Sequence, residues 1–323
     1  MELQEKNILV TGGTGFLGSA VVNKLLSLDS IVNIISMTDD NIWRIDDTSK
    51  CRFFNADLRN LQETKKIINK IKPEIIFHLA GKINTQIDQD AIFQVFSMNF
   101  EVTKNLLLAL NEYNYDLFIN TGTGNEYGNK KPPFKETDRV SPISPYSASK
   151  IATSYFCEMM SNVYKKPIIT VRPFLIYGPK QISRSLIPSL IFSGIENKEI
   201  SLTACEQTRD FIFIEDIVDA FISLAKNAKI VEKMGIFNIG SGIGTQIIEI
   251  VRFIEKKLKK TKFIVGARDY RPGETMHHYS SIAKIINAIN WRPKWTLEDG
   301  INKTIEWWQN NRDRWIKFRE IWE

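Results

Sequence analysis

Short apolar runs alternate with longer amphipathic stretches through the first half of the chain. The runs at 7–10, 31–36, 52–55, 74–79, 117–120 and 168–172 are rich in Ile, Val, Leu and Phe, and helical spacing fills the intervals, first at Ser19 to Leu28. That alternation predicts an α/β fold, a doubly wound parallel sheet covered by helices on both faces. Ligands of such sheets gather beyond the carboxyl ends of the strands. Gly12, Ser36, Asp57, Leu79, Ala80, Gly81, Thr121, Thr123 and Pro173 all fall just past strand ends and should line one crevice.

Beyond Pro179 the pattern changes. Ile182 to Glu199 reads as an apolar helix running into a polar turn, Ile200 to Leu202 as a short strand, and Ile212 to Asn227 as a strand followed by a helix. Near the end, Trp308, Trp315 and Trp322 recur seven residues apart with Phe318 beside them, which predicts one aromatic helix face packed on its own lobe.

Composition narrows the function classes. Of the 323 residues 43% are hydrophobic, ample for a core, and no apolar run approaches the roughly 20 residues of a membrane span. The net charge of +6 comes from lysines and arginines spread along the chain. Such a modest positive field suits an anionic small substrate, and no nucleic-acid-binding module accompanies it. Cys51, Cys157 and Cys205 lie far apart and form no CxxC pair, and no secretory pattern precedes the first strand. The expectation is a cytoplasmic protein with reduced thiols.

The first strand breaks into Thr11-Gly-Gly-Thr-Gly-Phe-Leu-Gly18, then reopens as a helix. Glycines at 12, 15 and 18 allow a tight turn whose N–H groups, with the helix dipole, can hold a pyrophosphate. Gly12, Thr14, Gly15, Phe16, Leu17 and Gly18 are therefore assigned to a dinucleotide, in a Rossmann-type unit. The second strand ends at Ser36 with no acid in the ribose-binding place. A hydroxyl tolerates a 2′-phosphate, with Arg44 as counter-charge, which favours NADP(H); NAD(H) stays open if Asp39 or Asp40 swings back. Asp57 is either an adenine acceptor or a turn cap. His78, ending an apolar strand, reads as structural, and the pair His277-His278, lacking a third ligand, as lobe surface rather than a metal site.

Tyr146 and Lys150 stand four apart on a helix entered through Ser141-Pro-Ile-Ser-Pro145, so they share a face. A neighbouring ammonium favours the phenolate and suits Tyr146 to proton transfer. Thr123, in the loop Asn120-Thr-Gly-Thr-Gly-Asn-Glu-Tyr-Gly128, can hydrogen-bond the reacting oxygen.

With these residues in view, the chain resembles the extended short-chain dehydrogenase/reductases that act on nucleotide sugars as epimerases, dehydratases or reductases. The resemblance runs through Thr11 to Gly18, Asp57-Leu58, His78-Leu-Ala80, Asn99, Asn105, Thr123 to Gly128, Tyr146 to Lys150, Arg172-Pro173, Tyr177-Gly-Pro179, Arg209-Asp-Phe211, Asp216, Asn238-Ile-Gly240, Arg271-Pro-Gly273 and Trp291-Arg-Pro293. It implies Thr123, Tyr146 and Lys150 as the catalytic set, Leu58 beside the cofactor, and Thr123, Asn125, Arg209 and Arg271 as substrate contacts, the arginines on the diphosphate. It also implies a dinucleotide-binding unit of residues 1–178 and 211–241, and a smaller substrate lobe of 179–210 and 242–323. A homodimer through a four-helix bundle of the helices near 99–113 and 146–163 follows from the same likeness.

The departures bear on the reaction. Dehydratases of the family carry Asp-Glu directly after the catalytic threonine, where this chain has Gly124 and Asn125; Glu126 comes one residue late and should point away. Leu175 stands where many relatives have asparagine. The expected reaction is NADPH-dependent reduction of a nucleotide-linked 4-keto-(6-deoxy)sugar, with a 4-epimerase holding NAD as the alternative.

Overall fold

In the computed structural model the described residues are 1–38, 41–181, 185–259, 262–271 and 273–314. The strands in chain order are β1 (Asn7–Thr11), β2 (Ile31–Ser36), β3 (Cys51–Asn55), β4 (Ile75–His78), β5 (Leu117–Thr121), β6 (Ile168–Pro173), β7 (Leu175–Tyr177), β8 (Glu199–Ser201), β9 (Thr208–Arg209), β10 (Phe211–Phe213), β11 (Ile236–Ile239), β12 (Thr245–Gln246), β13 (Lys262–Ile264) and β14 (His277–His278). The helices are α1 (Phe16–Leu26), α2 (Leu61–Ile71), α3 (Gln89–Val95), α4 (Val102–Leu110), α5 (Pro145–Tyr164), α6 (Leu186–Ile195), α7 (Ile214–Lys226), α8 (Ala228–Val231), α9 (Ile247–Leu258), α10 (Ala283–Ile289) and α11 (Leu297–Asn310).

Seven parallel strands form the main sheet in the order β11-β6-β5-β4-β1-β2-β3. The chain starts in the middle, winds outward to β3 and returns through β4 to the other edge, as the alternation predicts. Successive side chains of each strand enter opposite layers. Ile8, Val10, Ile34, Phe77 and Ile119 belong to one buried cluster, whereas Leu9, Ile35, Ile76 and Phe118 belong to the other. Both faces are covered, and the strands are accordingly rich in Ile, Val, Leu and Phe.

The expected elements of the second half are present with shifted ends. The helix expected from Ile182 is Leu186–Ile195, residues 182–184 lying outside the described ones. Trp308 is buried on α11 and Trp307 stacks on Trp43, while Trp315, Phe318 and Trp322 lie outside the described residues. Small sheets, β12-β9-β14 and β13-β8, stand beside the main one.

Asp210 ties these pieces together. Fully buried between β9 and β10, it accepts from the N–H and hydroxyl of Ser241 at 2.6 Å each, the N–H of Gly242 at 3.2 Å, and the N–H and hydroxyl of Ser280 at 3.1 and 2.5 Å. Removing the carboxylate strands several buried donors at about 1–3 kcal/mol each. Asp210→Ala should lower the unfolding free energy by about 3 kcal/mol or more in urea titration, and a loss below about 1 kcal/mol would contradict this role.

Candidate active site

A cleft of about 550 Å³ opens at the carboxyl ends of β1, β4, β5 and β6, lined among others by Gly12, Gly15, Phe16, Leu17, Gly18, Leu79, Gly81, Thr121, Thr123, Asn125, Tyr146, Lys150 and Pro173. Most of the residues that sequence reasoning assigned to cofactor and chemistry therefore meet in one place. Gly12 has φ +69, and a Cβ there would lie 2.7 Å from the Ala80 nitrogen, so only glycine lets the turn touch the end of β4. The N-cap of α1, Gly15, supplies no side-chain cap. The first N–H groups of that helix are thus left for a ligand, the usual arrangement for a phosphate.

Thr123 begins the 3₁₀ turn Gly124–Tyr127 and caps it by accepting from the Asn125 N–H at 3.3 Å. Tyr146 follows Pro145 at the start of α5, where Ser144 caps the helix. Burial, the largest influence, raises its phenol to about 12, outweighing the neighbouring Thr123 side chain, which lowers it. One turn on, the Lys150 ammonium donates to the Thr121 carbonyl at 2.7 Å, and burial lowers it to about 8. The ammonium is thus directed at backbone rather than at the phenol. Burial thus favours the protonated phenol of Tyr146.

Support for this trio comes from beneath. Asn99, in the π-helical turn Phe96–Glu101, accepts from the Lys82 N–H at 2.7 Å and donates to the Ser149 hydroxyl at 2.9 Å, tying the β4 loop to α5. Such π turns recur at functional sites. His78 is structural: its ring nitrogens pair with the hydroxyls of Thr11 and Thr103 at 2.7 Å each, and burial lowers its pKa to about 3.

Other assigned residues are placed differently. Arg44 is buried, 3% exposed, with its guanidinium bonded to the carbonyls of Lys180 and Thr14 at 3.2 and 3.4 Å. It braces the glycine turn from within, where the sequence made it a surface counter-charge. Ser36 pairs with the Thr14 hydroxyl at 3.2 Å and donates to the Thr38 carbonyl at 2.8 Å; Asp39 and Asp40 lie outside the described residues. Asp57 caps its turn and grips Arg59 in a fork of 2.6 to 2.9 Å. Leu58 is buried in the core. Arg209 is paired with Glu274 at 2.6 Å and Arg271 is exposed; neither lines the cleft.

His278 was missed. The lobe-surface reading holds for exposed His277, but His278 is buried and lines the cleft, its Nε2 3.1 Å from the Gly124 carbonyl and its ring beside Phe134 and Phe174. Burial lowers it to about 4, so it is neutral. A Cβ on Gly124 would sit 3.1 Å from His278 Cε1 and from the Phe174 ring. The histidine and Phe174 thus crowd any side chain placed at position 124. Only the pairing of β14 with β9 brings the histidine there, which no local sequence signal announces.

The residues present fit a nicotinamide dinucleotide. Besides the glycine turn, the Thr121 hydroxyl is buried in the cleft wall and has no partner among the described residues, as expected of a group that completes its bonds with a ligand.

Comparison with known proteins agrees with this geometry. Residues 8–240 match the model of the NAD dependent epimerase/dehydratase family. The chain is 28% identical to the dTDP-D-glucose 4,6-dehydratase of Bos taurus over 327 residues, covering 96% of this chain and 90% of that protein. Among solved structures, epimerase Mth375 of Methanothermobacter thermautotrophicus superposes with a TM-score of 0.89 at 24% identity, covering 98% of this chain and 95% of the other, a likeness of fold. The UDP-glucuronic acid 4-epimerase of Bacillus cereus, solved with UDP-glucuronic acid and NAD, gives 0.83 at 26% identity, covering 94% and 99%. With its glycine turn, its Thr123–Tyr146–Lys150 cleft and a match spanning most of its length, the chain belongs to the NAD dependent epimerase/dehydratase family of extended short-chain dehydrogenase/reductases.

Proposed function

We propose that this protein reduces a nucleotide-linked 4-keto sugar at C4, with Tyr146 as the proton donor. The observation that carries this reading is the Tyr146 side chain, buried in the wall of the same cleft as Thr123, where burial favours its protonated form. An acid beside the reacting oxygen is what reduction of a ketone needs, because the alkoxide formed must be protonated. Thr123 orients that oxygen, Lys150 fixes the wall of the cleft through Thr121, and Asn125 offers an exposed amide at the mouth. When bound, the nicotinamide supplies the hydride.

Gly124 and Asn125 cannot serve as the acid–base pair of a 5,6-elimination, and His278 crowds the space beside Gly124. This supports reduction over 4,6-dehydration. Arg44 bears on the cofactor: a buried guanidinium tied to two carbonyls is a poor partner for a 2′-phosphate, so we take NAD(H) as the working form in place of NADP(H). The same observation favours 4-epimerisation with retained NAD as a second reading. Arg209 and Arg271 are proposed to reach the substrate diphosphate only after Arg209 exchanges Glu274 for it. The two units suggested by the sequence, 1–178 with 211–241 and 179–210 with 242–323, are kept as the division between cofactor and substrate sides, and the cytoplasm as the location.

A homodimer is part of the proposal. Tyr155, Met159 and Val163 form an i, i+4, i+8 stripe along α5, 55%, 36% and 66% exposed, with Leu108 of α4 also exposed. An apolar stripe on a long helix is most simply covered by the same stripe of a second copy.

Mixing the protein with reduced cofactor and nucleotide-4-keto-sugars should consume one reduced nicotinamide per sugar. Tyr146→Phe should lower kcat by roughly 10²–10⁴-fold with cofactor affinity unchanged; full activity in that variant would sink the assignment. If no reduced cofactor is consumed, yet the protein with NAD interconverts C4 epimers, the second reading replaces the first. For the dimer, light scattering should give twice the chain mass for the wild type and the chain mass for Met159→Glu/Val163→Glu. A monomeric wild type would refute the bundle.

A further inference from the structure

Glu126 is entirely buried beside the active site, and the chemistry above makes no use of it. Its carboxylate collects donors from three elements. The Thr123 N–H reaches Oε1 at 2.9 Å, the Ser154 hydroxyl of α5 lies 3.2 and 3.1 Å from the two oxygens, and Arg172 of β6 donates from Nε and Nη2 at 2.8 Å each. The Arg172 guanidinium in turn lies 4.7 Å from the centre of the Tyr127 ring, whose hydroxyl donates to Asn238 at 2.7 Å.

Desolvating two charges makes a buried ion pair a weak source of stability, so its presence asks for another reason. Position supplies one. Ser154 stands one turn beyond Lys150 on the face of α5 that carries Tyr146, and Thr123 starts the loop that lines the cleft together with Tyr146. One carboxylate thereby fixes the loop, the helix and the strand behind the reacting groups.

We propose that Glu126 is a positioning residue for hydride transfer, holding the Thr123 loop against α5 and β6 and placing negative charge behind Tyr146 and Lys150. The inference rests on the reading of those residues as the proton-transfer set. Two directions agree with it: Glu126 is the largest influence opposing the burial that lowers Lys150, and it also raises Tyr146, against the influence of the Thr123 side chain. The other titratable groups acting on the pair are Cys157 of α5, which raises Lys150, and His78 of β4, neutral and itself lowered by the lysine. Arg172 faces Glu126 from β6. Removing the Glu126 charge must therefore lower both Lys150 and Tyr146.

The test is Glu126→Gln, which keeps shape and loses charge. Carbon NMR of lysine side chains in the cofactor-free protein, with the Lys150 signal assigned by its loss in Lys150→Met, reads the titration directly. The wild-type midpoint is expected at about 8, and that of the variant lower by roughly one pH unit, the scale of a nearby charge. The alkaline fall of kcat/KM should move the same way. Because Glu126→Gln leaves the buried Arg172 unpaired and can fail to fold, Glu126→Gln/Arg172→Met removes both charges, and its Lys150 midpoint should move in the same direction by a smaller amount, since the loss of the Arg172 cation offsets part of the effect. A Lys150 midpoint unchanged in the folded variant overturns the proposal. Absence of turnover in the wild type would instead fell the reductase reading, and the titration would still decide the role of Glu126.

Discussion

The contact between Gly12 and Ala80 is the constraint from which the site follows. The backbone of the first turn presses against the end of β4 with no room for a side chain. That closeness brings the glycine turn and the β4 loop to one rim and leaves the cleft between them and β5. Arg44, bonded to the Thr14 carbonyl from inside, holds the other side of the same turn. The open N-terminus of α1 then faces the hollow in which Thr121, Tyr146 and Lys150 stand.

From that rim the electrostatics are set by burial more than by pairing. Tyr146 is raised and Lys150 lowered chiefly because both lie out of water, and the lysine spends its contact on a backbone carbonyl. Burial consequently favours the protonated phenol of Tyr146. His278, kept neutral in the same way, and the ring of Phe174 close the cleft beside Gly124. Fold and site are coupled through Asp210, which accepts from both ends of the segment joining β11 to the β14 region.

Much of this was legible in the sequence because it is local. A strand, a glycine turn and a helix occupy the first two dozen residues, and Tyr146 and Lys150 share a helical turn, so period and spacing locate them. The misreadings concern side chains whose surroundings come from distant segments. Arg44 looked free because Lys180, which buries it, lies far along the chain. His278 looked like surface because β14 has only two residues and gains its place by pairing with β9. Glu126 lies behind the cleft lining, and its partner Arg172 is on a strand beyond α5, so the pair could not be read from spacing.

The central claim is direct hydride delivery to C4 of a ketone. The measurement that tests it most directly uses reduced nicotinamide carrying deuterium at C4, a nucleotide-4-keto-sugar and NMR of the product. The account predicts deuterium at C4 of the sugar, one for each cofactor oxidised. Deuterium absent from C4, or label entering C5 or C6 from heavy water, would contradict it.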